Sequence, residues 1–186
     1  TTRLIAQMHK AITIIQFKLE GEIIRRRPEF EMDDRMLLHH IDLKRGVVHI
    51  DGKDYTLKDT NWPTLDPKDP YRLSIEEEDL IRKILHSFES SEKMKKHMRC
   101  FFRHGGMYQV CNSNLLFHAS IPMNPDGTFK SVRILGQNYK GRALLDRVDQ
   151  LIRTAYFKTG EQEEVEYAHD YIWYLWGGKD SPLFDK

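Results

Sequence analysis

The stretch Cys111-Asn-Ser-Asn-Leu-Leu-Phe-His-Ala-Ser-Ile-Pro122 decides how we expect the second half of this chain to fold. Its apolar triplet, Leu115-Leu116-Phe117, predicts a buried strand. The strand ends at His118, which small residues and Pro122 follow. A histidine at the end of a buried strand is well placed to bind a metal ion, because neutral imidazole is a common metal ligand in proteins. A lone histidine in this position is more often a structural residue, so both interpretations of His118 stay open at this point.

Strands and helices are predicted on both sides of this stretch. Alternating apolar residues predict strands at about 107–110 and 130–135, in addition to the strand at 115–119. We expect Gly136-Gln137-Asn138 to form a turn. Amphipathic patterns then predict one helix from Lys140 and a second from about Glu161 to Trp176. The second helix ends in an aromatic cluster that we interpret as core or subunit packing rather than a ligand site; it comprises Tyr171, Trp173, Tyr174 and Trp176.

The residues before this stretch predict a mainly helical region. An apolar stripe with three- and four-residue spacing predicts a helix over residues 3–26, and its members are Leu4, Ile5, Met8, Ile12, Ile15, Leu19 and Ile23. Ser74-Ile-Glu-Glu77 is a capping box, which predicts the start of another helix. We expect that helix to continue to Phe102 with a break near Ser90-Ser91. His104-Gly105-Gly106 is interpreted as a glycine turn at the helix end.

A β-hairpin near 47–57 is the clearest local signal in the chain. Its turn is Asp51-Gly52, a pair that readily adopts the positive φ angles of a type I′ turn. Residues 59–73 contain three prolines together with Asp and Asn, which indicates a loop. Taken together, the patterns predict a helix-rich α+β fold.

The composition argues against several classes of protein. The chain has 186 residues, which is enough for one domain or slightly more. It carries 29 basic and 28 acidic residues, for a net charge of +1, so we expect neither nucleic acid nor a membrane as a partner. The two cysteines are too few for a disulfide framework, which favours a reducing, cytoplasmic location. The lack of an initiator Met suggests a piece of a longer chain.

Residue types alone reveal no complete active site. The P-loop, dinucleotide-binding, Cys-x-x-Cys and His-Glu-x-x-His patterns are absent from the sequence. Asp33, Asp34, His39 and His40 form another group of metal-binding residue types, but adjacent histidines on a helix point about 100° apart. Several basic residues could meet a phosphate and the sequence does not rank them: Arg25, Arg26, Arg27, Lys140, Arg142 and Lys179.

Four segments extend over nearly the whole chain and are more specific together than any short motif alone. The segments are His9-Lys-Ala-Ile-Thr-Ile-Ile-Gln-Phe-Lys-Leu-Glu20 with Ile23-Ile24-Arg-Arg-Arg-Pro-Glu-Phe30, Asn112-Ser-Asn-Leu-Leu-Phe-His-Ala-Ser-Ile-Pro122 with the Asp126-Gly127 turn, Tyr139-Lys-Gly-Arg-Ala-Leu-Leu-Asp146, and Trp173-Tyr-Leu-Trp-Gly-Gly-Lys-Asp-Ser-Pro-Leu-Phe184. In this order, they resemble segments of the class III fructose-1,6-bisphosphatases of bacteria.

The resemblance implies a partial calcineurin-like metallophosphoesterase αβ sandwich with a helical insert and a β-hairpin. By this resemblance, residues 1–105 are the insert and residues 106–186 are an α/β portion of the phosphoesterase core. It also implies two divalent ions, Mn²⁺ or similar, with His118 as one ligand. The family's other ligand strings are Asp-x-His, Gly-Asp-x-x-Asp-Arg, Gly-Asn-His-Asp and Gly-His-Thr-Pro, and none occurs here.

The activity implied by the resemblance is hydrolysis of the 1-phosphate of fructose 1,6-bisphosphate in gluconeogenesis. Because most of the metal ligands are missing, we expect the isolated chain to be inactive and to bind no metal. The alternative is a non-catalytic helical module used for binding or oligomerisation. Homo-oligomerisation is left open by the sequence. The catalytic and sugar-contacting residues are not identified by it.

Overall fold

This computed structural model describes residues 2–184 of the chain. Five α-helices and seven short β-strands lie within this range. The chain divides into two compact units, Thr1–Ser91 and Glu92–Lys186. Helices dominate each unit, and the strands form small antiparallel sheets. The predicted helix-rich α+β class is therefore confirmed. None of the helices within residues 2–184 is long and apolar enough to cross a membrane.

The first unit begins with one long helix, α1, which spans Thr2–Arg26 and confirms the predicted helix. Three short 3-10 helices follow, at Pro28–Phe30, Asp33–Arg35 and Leu37–His40. An antiparallel sheet comes next, with β1 at Ile41–Asp42, β2 at Val47–Ile50 and β3 at Lys53–Thr56, in the order β1-β2-β3. Helix α2, at Ile75–Ser90, ends the unit.

The predicted hairpin is present with the predicted turn. Strands β2 and β3 pair so that Ile50 lies opposite Lys53. Asp51 and Gly52 both have positive φ angles, 49° and 76°, as a type I′ turn requires. A local dipeptide therefore fixed the register of this pair of strands.

A buried ion pair joins α1 to the start of α2. The Nζ of Lys18 donates to Oε2 of Glu77 at 2.7 Å and to the carbonyl oxygen of Thr64 at 2.7 Å. Glu77 also completes the predicted capping box, because its Oε2 accepts from the N–H of Ser74 at 2.8 Å while its own N–H donates to Ser74 Oγ. One carboxylate thus satisfies both a helix end and a buried ammonium group.

The core of the first unit lies along only part of α1. Ile14, Ile15 and Ile24 are buried, and of these Ile15 alone belongs to the stripe predicted from the sequence. Four of its seven members are exposed, which corrects the expectation that the whole stripe packs into a core; Leu4, Ile5, Met8 and Ile12 are 45–61% exposed. A helical period shows which face is apolar, and the tertiary contacts decide how far that face is covered.

Gly21 allows a very close contact between α1 and Tyr71. A Cβ at position 21 would lie 1.9 Å from Cδ1 of Tyr71, so no larger residue fits there without a shift. The Tyr71 ring is almost fully buried, and its hydroxyl accepts from the N–H of Leu38 at 3.1 Å. The glycine therefore allows close packing between α1 and the Tyr71 ring.

The second unit alternates helices and hairpins. Its first helix, α3, spans Glu92–His104, so the break predicted near Ser90-Ser91 is confirmed. Two hairpins follow, made of β4 at Tyr108–Cys111 with β5 at Asn114–Phe117, and of β6 at Val132–Ile134 with β7 at Gln137–Tyr139. The last two helices are α4 at Gly141–Phe157 and α5 at Gln162–Tyr174.

Helices α4 and α5 provide most of the core of this unit. Their buried residues recur at helical spacing and include Leu144, Val148, Leu151, Ala168 and Tyr171.

Two sequence predictions for the second unit are wrong. Gln137 and Asn138 belong to strand β7 rather than to a turn, because the turn lies at Leu135-Gly136, where both φ angles are positive. Trp176 is 80% exposed and does not join the aromatic core.

Candidate functional site

The β4–β5 hairpin positions His118. Asn112 and Ser113 form its two-residue turn with φ angles of 49° and 62°. This turn pairs Cys111 with Asn114, and it pairs Tyr108 with Phe117 at the other end. His118 follows the last residue of β5 directly and is exposed. The structure therefore confirms that His118 stands at a strand end, beside a loop.

The strand before His118 is not buried, which corrects the sequence prediction. Leu115, Leu116 and Phe117 are 45%, 54% and 42% exposed. The hairpin is a two-stranded sheet, and no third strand pairs with it within residues 2–184. An apolar triplet indicates that a surface is suited to burial, but burial also needs a second layer to cover it.

His118 lines a pocket of about 960 Å³ within the second unit. The end of α3, the β4–β5 hairpin and α4 form its walls. The lining is mainly apolar and aromatic, and it includes Phe101, Met107, Phe117, Trp176 and Phe184. A few polar groups converge on this apolar surface, among them His104, His118, Asp149 and Arg153. This combination is typical of a binding site.

Arg153 joins two walls of this pocket. Its guanidinium donates from Nη1 to the carbonyl oxygen of Phe102 at 2.7 Å and from Nη2 to that of Gly105 at 3.2 Å. Asp149, one turn earlier on α4, accepts from Arg153 Nε at 2.7 Å and holds the side chain in place. Arg153 thus binds carbonyl groups at the C-terminal end of α3, where a positive charge is favourable.

Gly105 and Gly106 follow the end of α3, but neither has a positive φ angle, so the predicted glycine turn does not form there with its usual left-handed conformation. The N–H of Gly105 donates to the carbonyl oxygen of Phe101 at 2.7 Å and ends the helix. A Cβ on Gly105 would lie 2.7 Å from the same oxygen. This close approach restricts the position to glycine, and it leaves the Gly105 carbonyl directed toward Arg153.

Within the described residues 2–184, the structure brings together no candidate metal centre. No group of three or more His, Cys, Asp or Glu side chains with suitable placement occurs among the described residues 2–184. His118 supplies a single imidazole, and its side chain makes no hydrogen bond or ion pair within that part of the chain. One imidazole is too few ligands for a divalent ion, which takes four or more.

Comparison with known proteins now decides the family. The sequence model of the family described as Firmicute fructose-1,6-bisphosphatase matches residues 1–186. This chain belongs to that family. Among its relatives, the class 3 fructose-1,6-bisphosphatase of Bacteroides fragilis is 65% identical over all of this chain. The proteins of the same name from Bacteroides thetaiotaomicron and Clostridioides difficile are 64% and 52% identical, over 100% and 98% of the chain.

The chain spans 28% of the length of these fructose-1,6-bisphosphatases. The family assignment therefore holds for the residues at hand, while most of each relative lies outside the matched region. No solved structure matches this chain.

The structure distinguishes the candidate phosphate-binding basic residues by whether their side chains already have partners. Arg25 pairs with Asp69 at 2.9 Å and lies 4.8 Å from the centre of the Tyr71 ring. Arg142 pairs with Asp146. Arg26, Arg27 and Lys179 each have interactions of their own. Lys140 differs from them, because it has no ion-pair or hydrogen-bond partner for its side chain within residues 2–184.

Sequence reasoning missed the contribution of Arg153 to this site. The spacing of Asp149 and Arg153 does predict a pair on one face of α4. The carbonyl groups that Arg153 contacts lie about fifty positions earlier in the chain, at separations of 51 and 48 residues. A single sequence does not reveal a contact over that distance.

Proposed function

We propose that this chain is part of a cytoplasmic fructose-1,6-bisphosphatase, which hydrolyses the 1-phosphate of fructose 1,6-bisphosphate in gluconeogenesis. The observation that carries the proposal is the 65% identity, over the entire chain, to a protein named class 3 fructose-1,6-bisphosphatase. The pocket beside His118 supports it, because this pocket combines an apolar lining with a few convergent polar groups.

His118 is the metal ligand in this proposal. It would give one imidazole nitrogen to a divalent ion, with Mn²⁺ as the candidate, and carboxylate and histidine ligands would come from parts of the protein outside this chain. A bound divalent ion lowers the pKa of its water and stabilises charge on a phosphate. The exposure of His118 supports the assignment, since a ligand shared with other segments has to be accessible to them.

The same proposal accounts for the exposure of the β4–β5 hairpin. Residues 106–186 would form part of a calcineurin-like αβ sandwich, and residues 1–105 would form a mainly helical insert. In that arrangement, other segments of the enzyme cover Leu115, Leu116 and Phe117. Their exposure of 42–54% is otherwise unusual for three consecutive large apolar residues.

The test is phosphate release from fructose 1,6-bisphosphate with Mn²⁺, measured on the full-length protein that contains this chain. We expect His118→Ala to lower kcat/KM at least about 100-fold, because loss of a residue that only supports a metal ligand already costs about 10–100-fold. His86→Ala is the matched control, because His86 is an exposed histidine on α2. Equal activity of the two variants would contradict the role of His118.

The purified 186-residue chain provides a second test. We expect no phosphate release from it, because it supplies one imidazole rather than a complete set of ligands. Turnover that persists after removal of contaminating phosphatases would overturn this part of the proposal.

A non-catalytic module is the second candidate function, and one observation favours it. The first turns of α1 present four large apolar side chains to solvent. A surface of this kind suits an oligomer contact or a contact with another domain. Full-length protein without fructose 1,6-bisphosphatase activity, but with an oligomeric state that Met8→Glu disrupts, would favour this candidate over the enzyme.

A further inference from the structure

A second depression, of about 800 Å³, lies in the second unit away from His118. The turn before β6 and the end of β7 form its walls. Gly127, one aromatic ring and five polar side chains line it; the side chains are those of Asn124, Thr128, Phe129, Ser131, Asn138 and Lys140. Neither the family comparison nor the role of His118 accounts for this surface.

Hydrogen bonds hold the turn at one side of the depression in a single arrangement. Asn124 accepts from Gly127 N–H through its carbonyl oxygen at 2.9 Å, and its own N–H donates to the carbonyl oxygen of Thr128 at 2.8 Å. The Asn124 side-chain amide donates to Thr128 Oγ1 at 3.0 Å, and that hydroxyl donates to Asp126 Oδ1 at 2.7 Å. The second amide hydrogen and the amide oxygen of Asn124 remain available to a ligand.

The Phe129 ring is held as a platform in the depression. Its backbone pairs with that of Met123 in an isolated antiparallel bridge. Its ring lies against Gly141, where a Cβ would be only 3.0 Å from Phe129 Cδ2. The residue nevertheless remains 51% exposed, so a large part of it is accessible to solvent. Close backbone contact on one side and exposure on the other suit stacking of a flat, partly apolar ligand.

Three polar side chains in the lining have no partner of their own. Ser131, Asn138 and Lys140 make no side-chain hydrogen bond or ion pair within residues 2–184. Lys140 is the only charged residue among those that line the depression in this part of the chain. The depression therefore offers a hydroxyl group, an amide and an uncompensated ammonium group beside an aromatic ring.

We infer that this depression binds a phosphorylated sugar. Amide and hydroxyl groups pair with sugar hydroxyls, the Phe129 ring packs against the C–H face of the sugar, and the Lys140 ammonium binds the phosphate as a point charge. The choice of a sugar, rather than another phosphorylated compound, rests on the proposed function. Two sources share this chemistry, because the ligand is either the substrate itself or a separate sugar phosphate that regulates the enzyme.

The test is calorimetric titration of the full-length protein with fructose 6-phosphate, with fructose as the probe that lacks phosphate. We expect Lys140→Gln to raise the Kd of fructose 6-phosphate about tenfold, which corresponds to about 1.4 kcal/mol, and to leave the weak binding of fructose unchanged. Lys96→Gln is the matched control, because Lys96 is an exposed lysine on α3 that does not line the depression. We expect this control to bind like the wild type.

Steady-state kinetics separate the two sources. If Lys140→Gln raises KM for fructose 1,6-bisphosphate by the same factor and kcat is retained, the depression holds the substrate. If KM is unchanged while fructose 6-phosphate binding is lost, the ligand is a separate sugar phosphate, and both results support the site. An unchanged Kd in Lys140→Gln, or no binding to the wild type, overturns it. A wild-type protein that binds fructose 6-phosphate without hydrolysing the bisphosphate refutes the proposed function but leaves this site standing.

Discussion

Among single residues, Lys18 and Glu77 carry the largest expected effect on stability. Glu77→Leu would leave the fully buried Lys18 ammonium with the Thr64 carbonyl oxygen as its remaining partner. Breaking a buried pair from one side costs about 3–5 kcal/mol, so we expect the free energy of unfolding to fall by about that amount. Urea denaturation of the 186-residue chain measures it.

The control for this substitution lies one position further along α2. Glu78 is exposed, so Glu78→Leu removes an acidic residue from the same helical turn without breaking the pair. We expect a change within about 0.5 kcal/mol, as is usual for surface positions. A loss of stability in Glu78→Leu equal to that in Glu77→Leu would show that the helix N-terminus, and not the pair, is responsible.

The same carboxyl group makes stability depend on pH. Burial alone would raise the pKa of Glu77, but the hydrogen bonds from Lys18 and from the Ser74 N–H outweigh burial and lower it. A folded-state pKa below the unfolded value of about 4.3 contributes stability above that pH and loses it as the pH falls further. The difference in unfolding free energy between wild type and Glu77→Leu should therefore shrink below about pH 4. A difference that stays constant down to pH 3 would contradict this linkage.

Sequence patterns predicted residue roles well where the chemistry is local. The Ser74–Glu77 capping box is such a case, because its two partners are three residues apart and the bonds follow from that spacing. The second role of Glu77, as the partner of Lys18, depends on a contact between residues 59 apart and was not predicted. The position of His118 at a strand end follows from a local signal and was predicted. The grouping of Lys140 with Asn124 and Phe129 depends on contacts between distant residues and was not predicted.

At the scale of elements, hydrogen bonds from Arg153 connect α4 to the C-terminal end of α3. Arg153→Met keeps the apolar stem but removes the bonds to the Phe102 and Gly105 carbonyl oxygens. Hydrogen bonds from a charged group contribute about 1.5–3 kcal/mol each when buried, and the partial exposure of this side chain reduces the expected loss to about 1–2 kcal/mol. Urea denaturation gives the loss of stability, and hydrogen exchange should accelerate at the last turn of α3. Unchanged exchange at residues 101–105 would show that α3 is held by other contacts.

Arg142→Met is a suitable comparison on the same helix. Arg142 is also paired with an acidic residue four positions away, but both members of that pair are largely exposed. Exposed pairs of this spacing contribute about 0.3–0.5 kcal/mol. We therefore expect little change in stability and no change in exchange at the end of α3.

Elements with a strong local sequence signal were predicted correctly. The segments that pack against them, and therefore the exposure of their side chains, were not. The Asp51-Gly52 turn and the long amphipathic helices are encoded within a few residues, so one sequence is sufficient to predict them. Strand β7 has no apolar alternation, because Gln137 and Asn138 face solvent, and it forms only through pairing with β6. The exposure of Leu115–Phe117 was unpredictable for a related reason, since it depends on which segments lie next to the hairpin.

At the scale of the whole molecule, exposed apolar surface should govern behaviour in solution. The start of α1 and the β4–β5 hairpin each present several large apolar side chains that are at least 42% exposed. We expect the purified 186-residue chain to self-associate, with a mass by light scattering that rises with concentration. Leu4→Glu with Met8→Glu should reduce the association, whereas Ala6→Glu, at another exposed position of α1, should change it less. A monomer at all concentrations would refute this prediction.

The buried pair between α1 and α2 also sets an order of events during translation. Glu77 is made 59 residues after Lys18, and ribosomes add about 5–20 residues per second. Synthesis of the segment from Lys18 to Glu77 therefore takes about 3–12 s. During this time the Lys18 ammonium group has no counterion, and the apolar stripe of α1 has no covering segment. Slow codons in the stretch that encodes residues 59–73 would lengthen the delay and expose the nascent chain to chaperones, whereas fast codons there would shorten it.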